Sequence, residues 1–596
     1  MAARSNRFAE AFVRFVSSDR LAIWLALLAL LLSASCLGLG FYLDDNVGRY
    51  LYSDREGAAK LFRLWIGGYG LADGDPATAH WQIEQGWAPW WIYDRLLIRL
   101  FRPFGMATHW LDLQLWPNSA WLMHVHSLLW LALLVLATTR MYRAALGRTI
   151  GGLAALLFAF DHTHGFVVGY ICNRHALLTA LLSVLCLERH MRARSETGAR
   201  RHQLQAYALY ALALFSGESA LAILCYLIGY VVCVDRRSRV ERARDLAPYL
   251  VLTIVWRFAY NRLGFGAYGS GLYIDPGRDP VTYLIALAER APVLLLGQFF
   301  GPPAELYSVV PHAWAQRMLL FAIAFSLALA AALWPLLRRD RMARFWTLGV
   351  LGSIIPAAST YPHDRQLLFT SFGAMALLAQ LWQLHAVELR AQLASGLLRF
   401  SREFGGLLLI AHLVLSPLAL PITTCSVAVA HKLTRAPESI DDDIAGHDAV
   451  FINAPDYFAV KLIQLERRID RRPLPRRWRA LAFGPEHITV RRLDPNALEL
   501  EFREGALNTP FMELYRDRRF AMAAGQSIEL AGLSIRVENV TPDGRPQRVR
   551  FAFDRPLESP NFRFYQWLHG RYERYPLPAP GHAQALPPAQ LDFGFE

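Results

Sequence analysis

Long apolar runs recur along the first 430 residues and alternate with short charged connections. Crossing a bilayer requires about 20 apolar helical residues, and most of the runs approach that length. The pattern therefore predicts a polytopic α-helical membrane protein with about 11 transmembrane helices. The predicted spans are 21–43, 118–139, 149–160, 171–187, 204–216, 218–234, 246–260, 315–337, 345–359, 366–385 and 404–428.

Beyond residue 430 the apolar runs give way to short alternating segments separated by turns, which are typical of strands. The predicted elements are a strand at 449–453, a helix at 457–469 and strands at 488–492, 497–502, 527–530, 533–537 and 548–553. We expect a small β-rich domain at 431–575, outside the membrane. The Pro/Ala-rich segment 576–596 is expected to be a disordered tail.

The loop 261–314 contains an apolar insert at 281–300. Its charged residues Glu289 and Arg290 argue against a simple span, because charges at membrane depth are costly. A pair of half-spans and a re-entrant helix are the two open interpretations.

The loop 44–117 is rich in tryptophan, as expected of a segment that lies in the membrane interface. Within it, residues 89–102 place Arg95, Arg99 and Arg102 at helical spacing, which predicts an amphipathic helix in the membrane plane. Its arginines would contact either lipid headgroups or a bound phosphate.

The basic residues cluster in alternate connections between the apolar runs. The composition is 54% hydrophobic with a net charge of +13, and in this setting the charge indicates topology rather than nucleic-acid binding. By the positive-inside rule, residues 1–20 are cytoplasmic, whereas the loop 44–117 and the C-terminal region lie in the periplasm of a bacterial inner membrane. The run 21–43 is too long for a signal peptide and is predicted to be an uncleaved span.

Two adjacent carboxylates, Asp44 and Asp45, end the first span, and Arg49 follows one turn later. Adjacent side chains diverge on a helix, so the two residues are expected to have separate roles. One would face a site, and the other would cap the helix or pair with Arg49. An ordinary acidic helix-to-loop junction is the alternative.

A second group of polar residues lies between two predicted spans, from Asp161 to Arg174. His162 and His164 beside Asp161 leave a divalent metal open as a cofactor, although residues at i and i+2 do not share a helix face. Arg174 enters the next helix, where its guanidinium could bind a phosphate with two hydrogen bonds.

Two further outer-side groups contain charged residues at span ends. Glu218 interrupts the apolar stretch from 204 to 234 and is either a helix-capping residue or a site-facing residue in a tight hairpin. His363 and Arg365 precede another span, where the helix N-terminus and the guanidinium together favour an anion.

The order of these features resembles the GT-C superfamily of polytopic glycosyltransferases, above all its protein O-mannosyltransferase and transmembrane-TPR mannosyltransferase branch. The similarity covers residues 20–425. It rests on the first span, Asp44-Asp45, the Trp-rich loop, Asn-Arg-His-Ala-Leu-Leu at 173–178, Ser-Gly-Glu at 216–218 and Arg365. The chain departs from the family pattern at Asn173, His175 and Gly217, where the family has Gly, Ala and Lys, and it has a β-rich region in place of a TPR array.

The resemblance implies a polyprenyl-phosphate-linked sugar as the donor, membrane lipids as the surroundings and an unidentified glycan, lipid or protein as the acceptor. It also implies that Asp44 or Asp45 accepts the acceptor's proton as a general base. We expect Asp44 to be the base, because it lies nearer the span. The donor phosphate would be held by Arg174, Arg365, Arg95 and His363.

A non-catalytic lipid or glycan transporter and a non-catalytic assembly protein are the alternatives. The sequence has no internal repeat and no paired interrupted helices of the kind that transporters use. Convergence of Asp44, Asp45, Arg174 and Arg365 on one outer cavity would favour an active site, and their separation would favour an assembly protein.

Overall fold

The computed structural model describes residues 10–53, 68–194, 199–391, 396–434, 440–507 and 509–589. The predicted cytoplasmic residues 1–9, residues 54–67 of the Trp-rich loop and residues 590–596 of the predicted tail lie outside this part of the chain.

Helices dominate the chain up to residue 434. In chain order they are α1 Leu21–Ser33, α2 Asp44–Ser53, α3 Pro76–Glu84, α4 Pro103–Leu115, α5 Ala120–Phe160, α6 Gly165–Gly169, α7 Arg174–Arg192, α8 Ala199–Leu214, α9 Leu221–Cys233, α10 Arg239–Arg262, α11 Pro280–Phe299, α12 Leu306–Val309, α13 His312–Arg339, α14 Arg341–Ala357, α15 Leu368–Ala391, α16 Gly396–Ile410, α17 Ser416–Thr424 and α18 Ser426–Thr434. Together with the β-rich C-terminal region, they confirm the predicted polytopic α-helical membrane architecture.

Six helical stretches of the described chain are long and apolar enough to cross a membrane. They are Leu21–Gly38, Ala120–Phe160, Ile171–Arg192, Pro280–Phe299, His312–Arg339 and Gly396–Thr424. Helix α9 belongs to a shorter apolar helical segment, Glu218–Cys233.

Helix α5 consists of two arms joined at Gly147, whose φ of 76° and ψ of 175° are not helical. Glycine adopts this positive φ without steric cost. A Cβ on Gly151 would lie 2.4 Å from the carbonyl oxygen of Tyr142, so the two arms pack closely around the bend. The bend lies in the connection that separates the predicted spans 118–139 and 149–160.

The apolar insert at 281–300 forms one continuous helix, α11, instead of half-spans or a re-entrant segment. Its charged residues have partners. Arg290 donates hydrogen bonds to the carbonyl oxygens of Ala358, at 3.0 Å, and Gly271, at 3.3 Å. Glu289 accepts a hydrogen bond from the hydroxyl of Tyr307. These bonds offset the cost of placing two charged residues at membrane depth, which argued against a single span.

The segment 89–102 does not form the predicted amphipathic helix. Residues Leu97–Phe101 are strand β2, which lies between β1, Gly68–Asp73, and β3, Gly266–Tyr268, in an antiparallel sheet. Arg99 pairs with Gly70 on one side and Gly266 on the other. The helical prediction is wrong because hydrogen bonds from strands distant in sequence decide the backbone conformation here.

The C-terminal region contains ten strands and one helix within its described residues. They are β4 Asp448–Ala454, α19 Tyr457–Ile469, β5 Arg477–Phe483, β6 Ile488–Asp494, β7 Ala497–Phe502, β8 Ser527–Leu530, β9 Leu533–Val540, β10 Pro546–Phe553, β11 Phe562–Leu568, β12 Arg571–Arg574 and β13 Ala583–Leu586. Each element predicted in this region is present, and β5, β11, β12 and β13 are additional.

These strands form two sheets. The six-stranded sheet has the order β13-β6-β7-β10-β9-β8 and is antiparallel throughout. The four-stranded sheet has the order β12-β11-β4-β5, in which β4 is parallel to both of its neighbours. Strand β13 lies within the segment predicted to be a disordered tail. That prediction is wrong for 583–586, because Leu586 is buried and pairs with Ile488 of β6.

Part of the Trp-rich loop, around Trp90 and Trp91, packs on the C-terminal region, whereas Trp110 of α4 is 48% exposed. Trp90 and Trp91 are 4% and 2% exposed and belong to the same hydrophobic core as β4, β5 and β10. The indole of Trp90 donates a hydrogen bond of 3.0 Å to the carbonyl oxygen of Leu481. This part of the loop and the C-terminal region are therefore held together by a common core.

Candidate active site

A cavity of about 440 Å³ lies between the apolar helices and the three-stranded sheet. Its lining combines a polar part, from the loops and helix ends near β2, with an apolar part from α9, α14 and α15. The polar lining residues include Asp44, Tyr69, Arg102, Tyr170, Asn173, His175, Glu218, Tyr273 and Arg365.

Asp44 and Asp45 point in different directions. Asp44 lines the cavity, and its backbone N–H donates a 3.0 Å hydrogen bond to the hydroxyl of Tyr170. Asp45 instead accepts hydrogen bonds from the backbone N–H groups of Tyr42, at 3.1 Å, and Cys172, at 2.9 Å. Burial raises the pKa of Asp45 to about 8, although these hydrogen bonds oppose the increase. Asp45 is therefore largely protonated at neutral pH.

Arg102 is held in the cavity by Glu218. The Nε of Arg102 donates a 2.8 Å hydrogen bond to one carboxylate oxygen of Glu218. The other oxygen accepts from the backbone N–H of Phe101 and the hydroxyl of Tyr260. Burial opposes the charge on Arg102, but the carboxylate of Glu218 outweighs this effect and raises the pKa of Arg102. The predicted hairpin glutamate thus faces the site and positions a cation there.

His175 bridges Arg102 to the start of α7. Its Nε2 lies 2.8 Å from a terminal nitrogen of Arg102, and its Nδ1 lies 3.0 Å from the carbonyl oxygen of Cys172. A guanidinium only donates and a carbonyl only accepts, so Nε2 accepts and Nδ1 donates. This arrangement requires a neutral imidazole and leaves the positive charge on Arg102.

Arg365 lines the same cavity and has no carboxylate within ion-pairing distance among the described residues. One terminal nitrogen donates to the hydroxyl of Tyr361 at 3.2 Å, and the guanidinium lies 5.3 Å from the centre of that ring. The buried Nε of Arg365 and the buried side-chain amide nitrogen of Asn173 find no hydrogen-bond partner in the described structure. A buried cation with a free donor favours an anionic ligand.

The apolar part of the cavity is built from helices that pack closely. Its lining residues include Ala222 and Cys225 of α9, Gly352 and Ile355 of α14, and Leu368 and Phe369 of α15. This lining continues from the polar part near Arg365 into the helical bundle, so one ligand with a charged head and an apolar chain would fit both parts.

Arg174 does not line the cavity, contrary to the role predicted for it. Its side chain is fully buried and ion-paired with Asp112 of α4. It also donates hydrogen bonds to the hydroxyl of Ser127, at 3.0 Å, and to the carbonyl oxygen of Met123, at 2.7 Å. All three partners lie in α4 and α5, so the guanidinium joins three helices and has no free edge for a phosphate.

His162 and His164 also lie outside the cavity. The Nδ1 of His162 is 2.9 Å from the hydroxyl of Ser416, and His164 packs against the ring of Phe158 at 4.5 Å. Asp161 accepts hydrogen bonds from the side chains of Gln298 and Ser371. In the described parts of the chain, no group of three or more His, Cys, Asp or Glu side chains could hold a metal ion.

The remaining predicted site residues lie around the cavity without lining it. His363 is buried behind Arg365, whose backbone N–H donates to its Nδ1, and burial lowers the pKa of His363 well below its usual value. Arg95 is exposed in the turn before β2. Arg49 lies over the ring of Phe41 at 4.2 Å and lines a separate cavity of about 30 Å³ that Asp44 and Asp45 share.

Of the four residues whose convergence would favour an active site, Asp44 and Arg365 line the cavity, whereas Asp45 and Arg174 do not. The sequence prediction missed Arg102 and Tyr170 as site residues. In the sequence, Arg102 was recognised only as one of three arginines at helical spacing. Its position directly before Pro103, where the strand ends, was the signal that could have separated it from the other two. Tyr170 lies inside the polar run 161–174 but has no local feature that singles it out.

No family model and no curated protein matches the chain. Among solved structures, ArnT from Cupriavidus metallidurans bound to undecaprenyl phosphate is similar over 78% of this chain and 86% of that chain, with 13% identity and a TM-score of 0.37. The Archaeoglobus fulgidus oligosaccharyltransferase tethered with an acceptor peptide is similar over 78% of this chain, with 11% identity and a TM-score of 0.38.

A third structure, the archaeal oligosaccharyltransferase AglB from Archaeoglobus fulgidus in complex with an inhibitory peptide and a dolichol-phosphate, has 12% identity and a TM-score of 0.37 over 76% of this chain. The chain spans 64% of the length of either oligosaccharyltransferase chain. Two of these structures are named as oligosaccharyltransferases.

Proposed function

We propose that the protein is a membrane glycosyltransferase that moves a sugar from a polyprenyl-phosphate donor to an acceptor outside the cytoplasm. One observation carries the proposal. A carboxylate, Asp44, and an arginine with no carboxylate partner among the described residues, Arg365, line the polar part of one cavity that continues between apolar helices. This combination suits a ligand that has a phosphate, a sugar and an isoprenoid chain.

Arg365 and Arg102 are the proposed binding residues for the donor phosphate. Arg365 has a free Nε, and Arg102 is already oriented by Glu218 and His175. Negative charge grows on the lipid phosphate as the bond to the sugar breaks, so these guanidinium groups stabilise the leaving group. The apolar lining of α9, α14 and α15 would take the first isoprene units.

Asp44 is the proposed general base. Asp45 is a poor candidate because its two oxygens accept backbone hydrogen bonds and burial keeps it largely protonated at neutral pH. The carboxylate of Asp44 faces the cavity and would take the proton of an acceptor hydroxyl or amine as that atom attacks the sugar. The cavity would then lie on the periplasmic side of a bacterial inner membrane, together with the C-terminal region.

The test is sugar transfer by the full-length protein in membranes, with a panel of defined polyprenyl-phosphate sugars and measurement of both donor consumption and product. Asp44→Asn and Arg365→Met are each expected to lower transfer by about 100-fold or more, the usual range for loss of a general base or of an oriented charge. Arg95→Met is the matched control, because Arg95 belongs to the same arginine stripe but is exposed outside the cavity.

Unchanged transfer by an Asp44→Asn, Asp45→Asn double variant would contradict the proposed base. Equal losses in Arg95→Met and Arg365→Met would contradict the proposed phosphate site.

A non-catalytic assembly protein is the second candidate function. It is favoured by one observation, namely that Asp45 and Arg174 do not reach the cavity. Under this alternative, no lipid-linked sugar of the panel is consumed, and Asp44→Asn leaves the binding of protein partners unchanged.

A further inference from the structure

Helices α10 and α14 flank the apolar part of the cavity. Trp256 and Arg257 of α10 line it on one side, and Ile355 and Pro356 of α14 line it on the other. Both helices pack against α9, and among the described residues they have no extensive contact with each other. A gap between α10 and α14 therefore borders the cavity.

The contact between α9 and α14 is closed. A Cβ on Gly352 of α14 would lie 2.3 Å from the Cβ of Cys225 in α9, and a Cβ on Gly229 of α9 would lie 3.2 Å from the Cβ of Leu348 in α14. Helix backbones that approach so closely at small residues leave no room for a ligand between them. An opening on this side of the cavity therefore lies between α10 and α14 and not between α9 and α14.

The loop 274–276 bridges the two helices at the outer end of the gap. The backbone N–H of Ile274 donates a 2.8 Å hydrogen bond to the carbonyl oxygen of Ser359, two residues after α14. The two carboxylate oxygens of Asp275 accept hydrogen bonds of 2.7 and 2.8 Å from a terminal nitrogen of Arg257 in α10. The backbone N–H of Gly277 donates a further 2.9 Å bond to Asp275, which fixes the carboxylate. The bridge closes the gap towards the loops and leaves it open along the helices.

The gap reaches the outer surface of the helical bundle. Ile355 lines the cavity and is nevertheless 47% exposed, so its side chain stands where the cavity meets the surface. The surfaces of the two helices beside it are apolar and exposed, with Val251, Ile254, Val255 and Phe258 on α10 and Leu348 and Leu351 on α14. In a membrane protein, an exposed apolar surface that continues into an apolar cavity is an opening towards the lipid chains.

The charges of the cavity favour one kind of occupant for this opening. Arg102 and Arg365 line its polar part, and Arg257 stands at the rim of the gap. A cavity of about 440 Å³ holds a headgroup and the start of a chain, so the rest of a long chain extends beyond it. An anionic lipid keeps its head at the arginines and its chain in apolar surroundings, and thus avoids burying an unpaired charge.

We propose that the gap between α10 and α14 is the opening through which the isoprenoid chain of a polyprenyl phosphate passes from the cavity into the membrane. The identity of the headgroup rests on the proposed function, whereas the opening rests on the exposure of Ile355 and on the apolar surfaces beside it. The ion pair of Arg257 with Asp275 holds the bridging loop and positions the rim of the opening.

The opening is tested by lipid binding without any sugar or acceptor. Native mass spectrometry of the full-length protein in detergent measures how much protein carries undecaprenyl phosphate, whose chain extends beyond the cavity, or geranyl phosphate, whose short chain stays inside it. Ile355→Trp narrows the gap from the membrane side. It is expected to weaken binding of undecaprenyl phosphate by about 10-fold or more, because the bulky ring and the chain compete for the same space.

Binding of geranyl phosphate to Ile355→Trp is expected to stay within about twofold of the wild type, because Ile355 is at the surface and the headgroup site is unchanged. Leu320→Trp is the matched control, since Leu320 is an exposed apolar residue of α13 that does not line the cavity. Ile355→Phe replaces Ile355→Trp if that protein does not fold. Phosphatidylglycerol, an anionic lipid with two chains, serves as the competing ligand and is expected not to displace undecaprenyl phosphate.

Unchanged binding of undecaprenyl phosphate in Ile355→Trp, an equal loss of both prenyl phosphates, or an equal loss in Leu320→Trp would overturn the opening. Displacement by phosphatidylglycerol would overturn the assignment to an isoprenoid chain, as would a wild-type protein that binds neither prenyl phosphate. A loss confined to the long chain, combined with absent sugar transfer by the wild type, would support the opening and contradict the proposed function instead.

Discussion

Arg174 is assigned to the packing of three helices and Arg365 to the donor phosphate. The buried ion pair between Arg174 and Asp112 provides a direct test of this assignment. Both side chains are completely buried, and Arg174 also donates to the hydroxyl of Ser127 and the carbonyl oxygen of Met123. Arg174→Met removes the charge but keeps an apolar chain of similar length. It leaves the carboxyl group of Asp112 buried without its guanidinium partner, with the Nδ1 of His126 at 2.7 Å.

Removing one partner of a buried pair costs about 3–5 kcal/mol, because the other charge stays desolvated. Removing both partners costs much less, so an Arg174→Met, Asp112→Asn double variant is expected to recover more than half of the loss. Arg365→Met is expected to leave stability within about 1 kcal/mol of the wild type, since Arg365 has no carboxylate partner among the described residues.

The assay is the apparent unfolding midpoint of the purified full-length protein in detergent, measured beside sugar transfer in membranes. We expect Arg174→Met to lower the midpoint strongly and Arg365→Met to lower transfer without lowering the midpoint. A normal midpoint combined with lost transfer in Arg174→Met would refute the reasoning, because it would place Arg174 on the donor and not in the scaffold.

Three further predictions concern the surroundings of the site. Burial raises the pKa of Asp45 from 3.8 to about 8, so the folded form prefers the protonated carboxyl and stability falls as pH rises between these values, by at most about 1.4 kcal/mol per pH unit. Unfolding midpoints across this range should therefore show a weaker decline in Asp45→Asn. Gly349→Ala places a Cβ about 2.0 Å from the ring of Tyr226 and should destabilise the α9–α14 contact by about 1–3 kcal/mol, seen as a lower unfolding midpoint, whereas alanine at Gly406 meets no neighbour and should not. Trp90→Phe removes the hydrogen bond to Leu481 and should cost about 1 kcal/mol, which protease protection of the C-terminal region would reveal.

The sequence by itself determined the features that depend on residues close together in the chain. A transmembrane helix requires a continuous apolar run, so apolar helices such as α1 and α13 could be located from hydrophobicity. Helix α11 was not predicted as a span because of Glu289 and Arg290. In the C-terminal region the predicted helix at 457–469 has the observed bounds. Its start is fixed locally, because the side chain of Asp456 accepts a hydrogen bond from the backbone N–H of Ala459. The divergence of Asp44 and Asp45 also followed from helix geometry, and the structure places only Asp44 on the cavity.

The tertiary structure decided what depends on residues far apart in the chain. The spacing of Arg95, Arg99 and Arg102 suits a helix, but pairing with β1 and β3 makes this segment a strand and leaves Arg102 beside Glu218, more than a hundred residues later. The direction of Arg174 depends on Asp112 in α4, which no local pattern relates to it.

The burial of Trp90 and Trp91 likewise could not be recognised from the sequence alone. The tryptophans of the Trp-rich loop are as hydrophobic as those of a membrane-interface segment, and only the presence of the C-terminal sheets decides that Trp90 and Trp91 lie in a protein core. Likewise, the packing of α19 against α2 joins two helices that are far apart in the sequence. Local hydrophobicity and capping act over a few residues and can be recognised in the sequence, whereas pairing and burial depend on which distant surfaces meet.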